Sequence, residues 1–202
     1  MVFDFDGTIA DTFRQGLDIL NAMSAEFGYR PLAADEVEKA RGMTTRQLMK
    51  FLGISTRKLP SVASRGIREL RARINEVQPI AGVPEVLRGL HGQGRRLGII
   101  TSNSEENVGV FLKNHGLEIF EFVRSSSRLL GKGREIRAAM RQQKFGAEEV
   151  LFIGDETRDI EACKRAGIRC AAVSWGYNTR ESLVAQAPHC VFDDPAELLG
   201  VR

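Results

Sequence analysis

The chain has 202 residues, 43% of them hydrophobic and 27% charged, with a formal net charge of +3. This composition supports one buried core plus a modest insertion and excludes a disordered chain, and so small a charge excess gives no argument for a nucleic-acid partner. No apolar run approaches the ~20 residues of a membrane helix, Asp4 interrupts any amino-terminal leader, and Cys163, Cys170 and Cys190 lack metal-site spacing and read as reduced thiols of a cytoplasmic protein.

Met1-Val-Phe-Asp-Phe-Asp-Gly-Thr-Ile starts as a short apolar strand and runs into two carboxylates, Asp4 and Asp6, one residue apart. Alternate strand residues share a face, so both side chains can reach one pocket at the strand end. From Thr8 to about Val77 the pattern is helical. Phe13, Leu17, Leu20, Met23 and Phe27 fall at helical spacing up to a stop at Gly28. Glu36–Ala40 reads as a short helix ended by Gly42, and Thr44 or Thr45 caps a helix that Gly53 stops. Val62, Ile67, Leu70, Ile74 and Val77 mark a last helix with Gly66 inside it.

From Pro79 helices and strands alternate. Pro84 opens a helix that Gly94 ends, and Arg96–Thr101 reads as a buried strand. There follow a helix stopped by Gly116, a strand near Phe120–Arg124, a helix over Arg134–Lys144 and a strand over Val150–Ile153. A helix over Asp159–Ala166, a strand from Cys170 to Ser174, a helix near Glu181–Gln186, a strand near Cys190–Phe192 and a turn near Pro195 close the chain. Such alternation predicts an α/β, Rossmann-like, three-layer core with a parallel sheet, formed by residues 1–10 and 79–202. Residues 11–78 form an inserted all-α cap domain.

The second acidic strand end is Gly154-Asp155-Glu-Thr-Arg-Asp159, directly after Val150-Leu-Phe-Ile. In open α/β sheets ligands bind beyond the carboxyl ends of the strands. Two adjacent parallel strands would gather Asp4, Asp6, Asp155 and Asp159 into one cluster. Packed carboxylates repel unless a cation or proton intervenes, and an all-oxygen ligand set suits Mg²⁺. The insertion leaves the core beside Asp4 and Asp6, where it can close over the pocket and exclude water.

With these motifs in this order, the chain resembles the haloacid dehalogenase superfamily in its helical-cap branch, and phosphoglycolate phosphatases most of all. The resemblance spans nearly the whole length. The four motifs are Asp4 to Thr8, Ile99-Ile-Thr-Ser-Asn, Lys132 in Gly131-Lys-Gly, and Gly154 to Asp159. Gly133 stands where a proline is frequent, Ser102 competes with Thr101, and Arg134 competes with Lys132.

The resemblance implies a Mg²⁺-dependent phosphatase acting on a small phosphorylated metabolite. Asp4 would be the nucleophile, forming an aspartyl-phosphate, and Asp6 the acid and base. Mg²⁺ would sit on Asp4, the main-chain carbonyl of Asp6, and Asp155, with Asp159 behind them. Lys132, Thr101, Asn103 and N–H groups near Phe5, Gly7 and Ser102 would hold phosphoryl oxygens. Relatives place a specificity loop where this chain has Arg41-Gly42-Met-Thr-Thr-Arg46, and either arginine would bind a substrate carboxylate. The cap holds twelve Lys and Arg against eight Asp and Glu, a lid able to attract anions.

Each residue also has a plainer reading: Thr101 as a helix cap, Lys132 as a solvated loop lysine, Asp159 on an exposed helix face. His91, His115 and His189 are assigned no catalytic part. A β-phosphoglucomutase-like mutase shares the same core, and a phosphonatase would need Lys39 or Lys50 of the cap as a Schiff base. Dehalogenation is disfavoured because Asp6 supplies an acid that halide release does not require. A receiver-like phospho-acceptor domain lacks the insertion. The expected state is a monomer or homodimer with neither nucleic acid nor membrane as partner.

Overall fold

The computed structural model describes residues 1–126 and 131–201. Among these residues six strands form one parallel sheet: β1 (Val2–Phe3), β2 (Gly98–Thr101), β3 (Phe122–Ser125), β4 (Leu151–Gly154), β5 (Arg169–Val173) and β6 (Cys190–Phe192), in the spatial order β3-β2-β1-β4-β5-β6. β1 lies between β2 and β4, with Phe3 opposite both Ile99 and Ile153. The central strands read as unbroken apolar runs because both faces of a parallel sheet are covered.

Successive residues point to opposite faces. Phe3, Ile99, Ile153 and Val173 join the core under α6 (Val83–Gly92) and α7 (Glu105–Asn114). Val2, Ile100, Phe152 and Ala172 join the core under α8 (Lys132–Gln143), α9 (Thr157–Ala166) and α10 (Arg180–Val184). Gly133 lets α8 and α9 approach closely: a Cβ there would stand 3.1 Å from the Ala162 carbonyl oxygen.

Between β1 and α6 lie the cap helices α1 (Phe13–Ala22), α2 (Ser24–Phe27), α3 (Val37–Arg41), α4 (Thr45–Leu52) and α5 (Leu59–Ala72). The outgoing and returning chains are paired. Ala10 bridges Pro79 antiparallel, Asp11 N–H donates to the Gln78 carbonyl at 2.9 Å, and Ile80 N–H donates to the Ile9 carbonyl at 2.9 Å. Thr44, not Thr45, caps α4: its hydroxyl accepts from Gln47 N–H and the Gln47 side chain accepts from Thr44 N–H.

Two expectations are corrected. The helix read across Phe13 to Phe27 breaks at Met23, where Ser24 turns its hydroxyl back onto the Asn21 carbonyl and starts α2. The last cap helix ends at Ala72; Ile74–Glu76 is a separate 3₁₀ turn and Val77 lies beyond it in extended backbone. Among the described residues no helix is long and apolar enough to cross a membrane.

Phe152 is fully buried on β4. Phe152→Ala is expected to lower the free energy of unfolding by about 3–5 kcal/mol, measured by urea denaturation. An unchanged midpoint would show that this face of the sheet is not a load-carrying core.

Candidate active site

The site forms where β1 and β4 end side by side. Since Phe3 faces Ile153, Asp4 leaves the sheet next to Gly154 and Asp155 follows directly. Asp4 N–H donates to the Ile153 carbonyl at 2.8 Å, so the sheet itself fixes its backbone. Asp4 Oδ1 accepts from Phe5 N–H at 2.7 Å, and Oδ2 lies 2.6 Å from Lys132 Nζ. Lys132 opens α8 and is only 3% exposed. Its Nζ also lies 2.6 Å from Asp159 Oδ1, in the first turn of α9. One ammonium thus ties together the first acidic motif, the lysine motif and the second acidic motif.

Asp155 is fully buried. Its Oδ1 accepts from the Thr8 hydroxyl at 2.6 Å and its Oδ2 from Tyr177 N–H at 2.7 Å. The backbone makes room for it at two glycines. Gly7 has φ +76, and a Cβ on it would strike both the Asp155 carboxylate and the Tyr177 ring; a Cβ on Gly176 would strike the same carboxylate. Oxygens of Asp4, Asp155 and Asp159 lie within 4.8 Å of one another.

The charge on this cluster is not balanced by its protein neighbours. Burial, then the charges of Glu156, Asp4 and Asp159, push Asp155 well above the usual carboxylate range. Burial also raises Asp159 to about 7, although Lys132 pulls it down. Burial lowers the Lys132 ammonium, but Asp159 and Asp4 raise it by more, so it stays charged. Asp4 Oδ2 is buried, and apart from its ion pair with Lys132 it accepts no aligned hydrogen bond. Oxygen-only donors, surplus negative charge and an under-satisfied carboxylate oxygen together suit one hard divalent cation.

Asp6 lies apart from these three. Its carboxylate turns toward the cap and accepts from Asn103 Nδ2 at 3.1 and 3.2 Å. Burial and the charge of Asp4 raise it to about 7, against the pull of Asn103 and Thr12. It borders a cleft of about 1030 Å³ between core and cap, which Ser102, Asn103, Arg158 and Tyr177 also line. Thr101 ends β2 fully buried, and its hydroxyl accepts from Asn103 N–H at 3.0 Å. Arg134, the rival of Lys132, is exposed.

Several sequence expectations are corrected here. Gly7 N–H is not a phosphoryl donor in this arrangement, because the Ala10 carbonyl accepts it at 2.9 Å; the residue serves by having no side chain. Arg41 does not face the cleft. Its Nε donates to the Tyr177 carbonyl at 3.2 Å, one Nη to the Gly176 carbonyl at 2.9 Å and the other to Glu38 at 2.9 Å. Gly42 and Arg46 are exposed, and it is Thr45 and Leu48 from the same segment that line the cleft. Among the described residues that line the cleft none is a lysine; Lys39 instead stacks on Phe51 at 5.1 Å.

Sequence reasoning places Trp175-Gly-Tyr-Asn at the border of the pocket, which Tyr177 does line, but it does not pair Thr8 or Tyr177 with Asp155 or give Asn178 a contact of its own. Trp175-Gly-Tyr-Asn following β5 at the carboxyl edge of the sheet was the available signal, but nothing in it says which atom faces which carboxylate.

The family profile of haloacid dehalogenase-like hydrolases matches residues 1–173. The chain belongs to this family. It is 33% identical over 200 residues to a phosphoglycolate phosphatase of Synechococcus elongatus, covering 98% of this chain and 94% of that one. A solved haloacid dehalogenase-like hydrolase from Bacteroides fragilis superposes with a TM-score of 0.81 at 25% identity, covering 98% and 97% of the two chains. The crystal structure of a predicted phosphatase from Clostridium acetobutylicum superposes with a TM-score of 0.83 at 18% identity, covering 98% and 95%, a likeness of fold. Family membership removes the receiver-domain alternative.

For this hydrolase the raised carboxylates set a pH test. Asp6 and Asp159 are raised from the unfolded 3.8 to about 7, so the folded state binds more protons and these two cost stability as pH rises from about 4 to about 7; Asp155, also raised, acts in the same direction. A divalent cation competes with those protons. The gain in Tm on replacing chelator with cation is therefore expected to be larger at pH 8 than at pH 5 in differential scanning fluorimetry. An equal gain at both values would contradict the charge imbalance.

Proposed function

We propose that this enzyme is a Mg²⁺-dependent phosphatase that hydrolyses a small phosphate monoester through a phosphorylated Asp4. The observation that carries the reading is the placement of Lys132 Nζ at 2.6 Å from both Asp4 and Asp159, beside the Asp155 carboxylate. A carboxylate approaching a phosphate dianion meets repulsion of about 4 kcal/mol per charge pair at ~4 Å and an effective dielectric near 20. Lys132 offsets part of it. Asp4 and Asp155, with Asp159 alongside, would hold Mg²⁺, which supplies electrostatic stabilisation of the phosphoryl oxygens when bound.

In the first step an Asp4 oxygen forms a bond to phosphorus and the bond from phosphorus to the ester oxygen breaks. Asp6, raised to about 7 and facing the cleft, gives its proton to the departing alkoxide. In the second step water attacks the same phosphorus, Asp6 takes its proton, and the acyl-phosphate P–O bond breaks to restore the Asp4 carboxylate. Ser102 and Asn103, both bordering the cleft, and the hydroxyl of Thr101 are the nearest side chains of the second motif for the phosphoryl oxygens. Residues 11–78 act as the lid, turning about the paired segments at Ala10 and Pro79. Phosphoglycolate, the substrate in the name of the Synechococcus relative, is the first compound to test, within a panel of small phosphorylated metabolites ranked by kcat/KM. The absence of lysine among the described residues that line the cleft counts against a phosphonatase. Three free cysteines support a cytoplasmic setting.

Asp4→Asn is expected to lower turnover by about a thousandfold or more and to abolish acid-stable labelling of the protein by a ³²P-phosphomonoester, with an unchanged circular dichroism spectrum. Retention of more than about a tenth of the activity would overturn the nucleophile assignment. Excess EDTA is expected to stop turnover and added Mg²⁺ to restore it; full activity in EDTA would remove the cation from the reaction.

A further inference from the structure

The segment Gly176–Asn178 touches both the candidate cation site and the cap. The peptide unit joining Gly176 to Tyr177 has two polar ends. Its carbonyl accepts from Arg41 Nη2 at 2.9 Å, and its N–H donates to Asp155 Oδ2 at 2.7 Å. Arg41 belongs to the cap and Asp155 to the core, so a single planar group separates a cap guanidinium from a buried core carboxylate. A cation on the carbonyl polarises the peptide and strengthens donation from its N–H.

Neighbouring contacts reinforce this link. Arg41 Nε donates to the Tyr177 carbonyl, and its guanidinium lies 5.3 Å from the centre of the Phe13 ring, which meets the Tyr177 ring edge-on at 5.2 Å. Asn178 joins the same two parts a second time. Its Nδ2 donates to the carbonyls of Arg41 at 2.6 Å and Met43 at 3.0 Å, while its Oδ1 accepts from Thr157 N–H, the first residue of α9, at 2.8 Å. Thr179 N–H also donates to the Arg41 carbonyl at 3.2 Å. The turn at the end of α3 is thus clamped to the loop that orients Asp155.

We propose that Arg41 is a positioning residue for Asp155: seating of the cap on Gly176–Asn178 sets the carboxylate that binds the divalent cation, so cap closure and cation affinity are coupled. The proposal rests on the cation reading of the site. Coupling is reciprocal: if seating the cap tightens cation binding, cation binding must stabilise the seated cap by the same factor. An arginine that merely stabilised the cap would not move cation affinity, because it touches none of the three carboxylates.

The test uses the full chain with Mn²⁺ as probe, free Mn²⁺ being read by electron paramagnetic resonance. Arg41→Ala is expected to weaken Mn²⁺ binding about fivefold or more, whereas Arg46→Ala, an exposed arginine on the next helix of the cap, is expected to leave it unchanged. Unaltered Mn²⁺ affinity in a folded Arg41→Ala protein overturns the coupling. Should that variant not fold, hydrogen exchange of the unaltered protein decides: Mn²⁺ is expected to slow exchange at the Thr179 amide, which is bonded to the cap, and equal rates with and without Mn²⁺ overturn the proposal. A wild-type chain that binds no Mn²⁺ removes the cation reading itself, an outcome distinct from loss of the coupling alone.

Discussion

Everything in the site follows from the cost of burying like charges together. Asp4, Asp155 and Asp159 are each 1% exposed or less. At a separation of ~4 Å and an effective dielectric near 20, each pair of ionised carboxylates opposes folding by about 4 kcal/mol. Such a cluster persists only where the surrounding structure holds it and where opposite charge reaches it. Lys132 is placed for that, at the first turn of a helix whose neighbour carries Asp159.

The parallel sheet explains how groups so distant in sequence meet. β1 and β4 are neighbours in the sheet and run the same way, so their carboxyl ends coincide. The acidic residues stand where each strand gives way to a loop, and backbone N–H groups then become available as donors to carboxylates: Phe5 for Asp4, Tyr177 for Asp155, Glu156 for Asp159. Each carboxylate is aimed by backbone rather than by a flexible partner alone. That rigidity is what electrostatic preorganisation of a phosphoryl-transfer site requires.

Much of this was legible in the sequence because it depends on local pattern. Apolar runs bounded by glycines located β2, β4 and β5, and Asp4, Asp6, Asp155 and Asp159 stood out as carboxylates where apolar strands end or the following helix begins. What was not legible depends on contacts across the fold. The family resemblance implies a phosphate-binding amide near Gly7, yet that amide donates to the Ala10 carbonyl, and the missing Cβ is what makes room for Asp155. The family resemblance implies substrate binding by Arg41, because relatives place a specificity loop there; three-dimensional placement gives its donors to two core carbonyls and Glu38 instead. The break at Met23 turned on a serine hydroxyl bonding backward to Asn21, which periodicity does not register.

The proposed reaction requires one cation shared by Asp4 and Asp155. A crystal soaked in Mn²⁺ and measured at an anomalous wavelength tests it directly. A single anomalous peak about 2.0–2.6 Å from oxygens of both residues is the expected result; a soaked crystal with no peak within coordinating distance of both would contradict it.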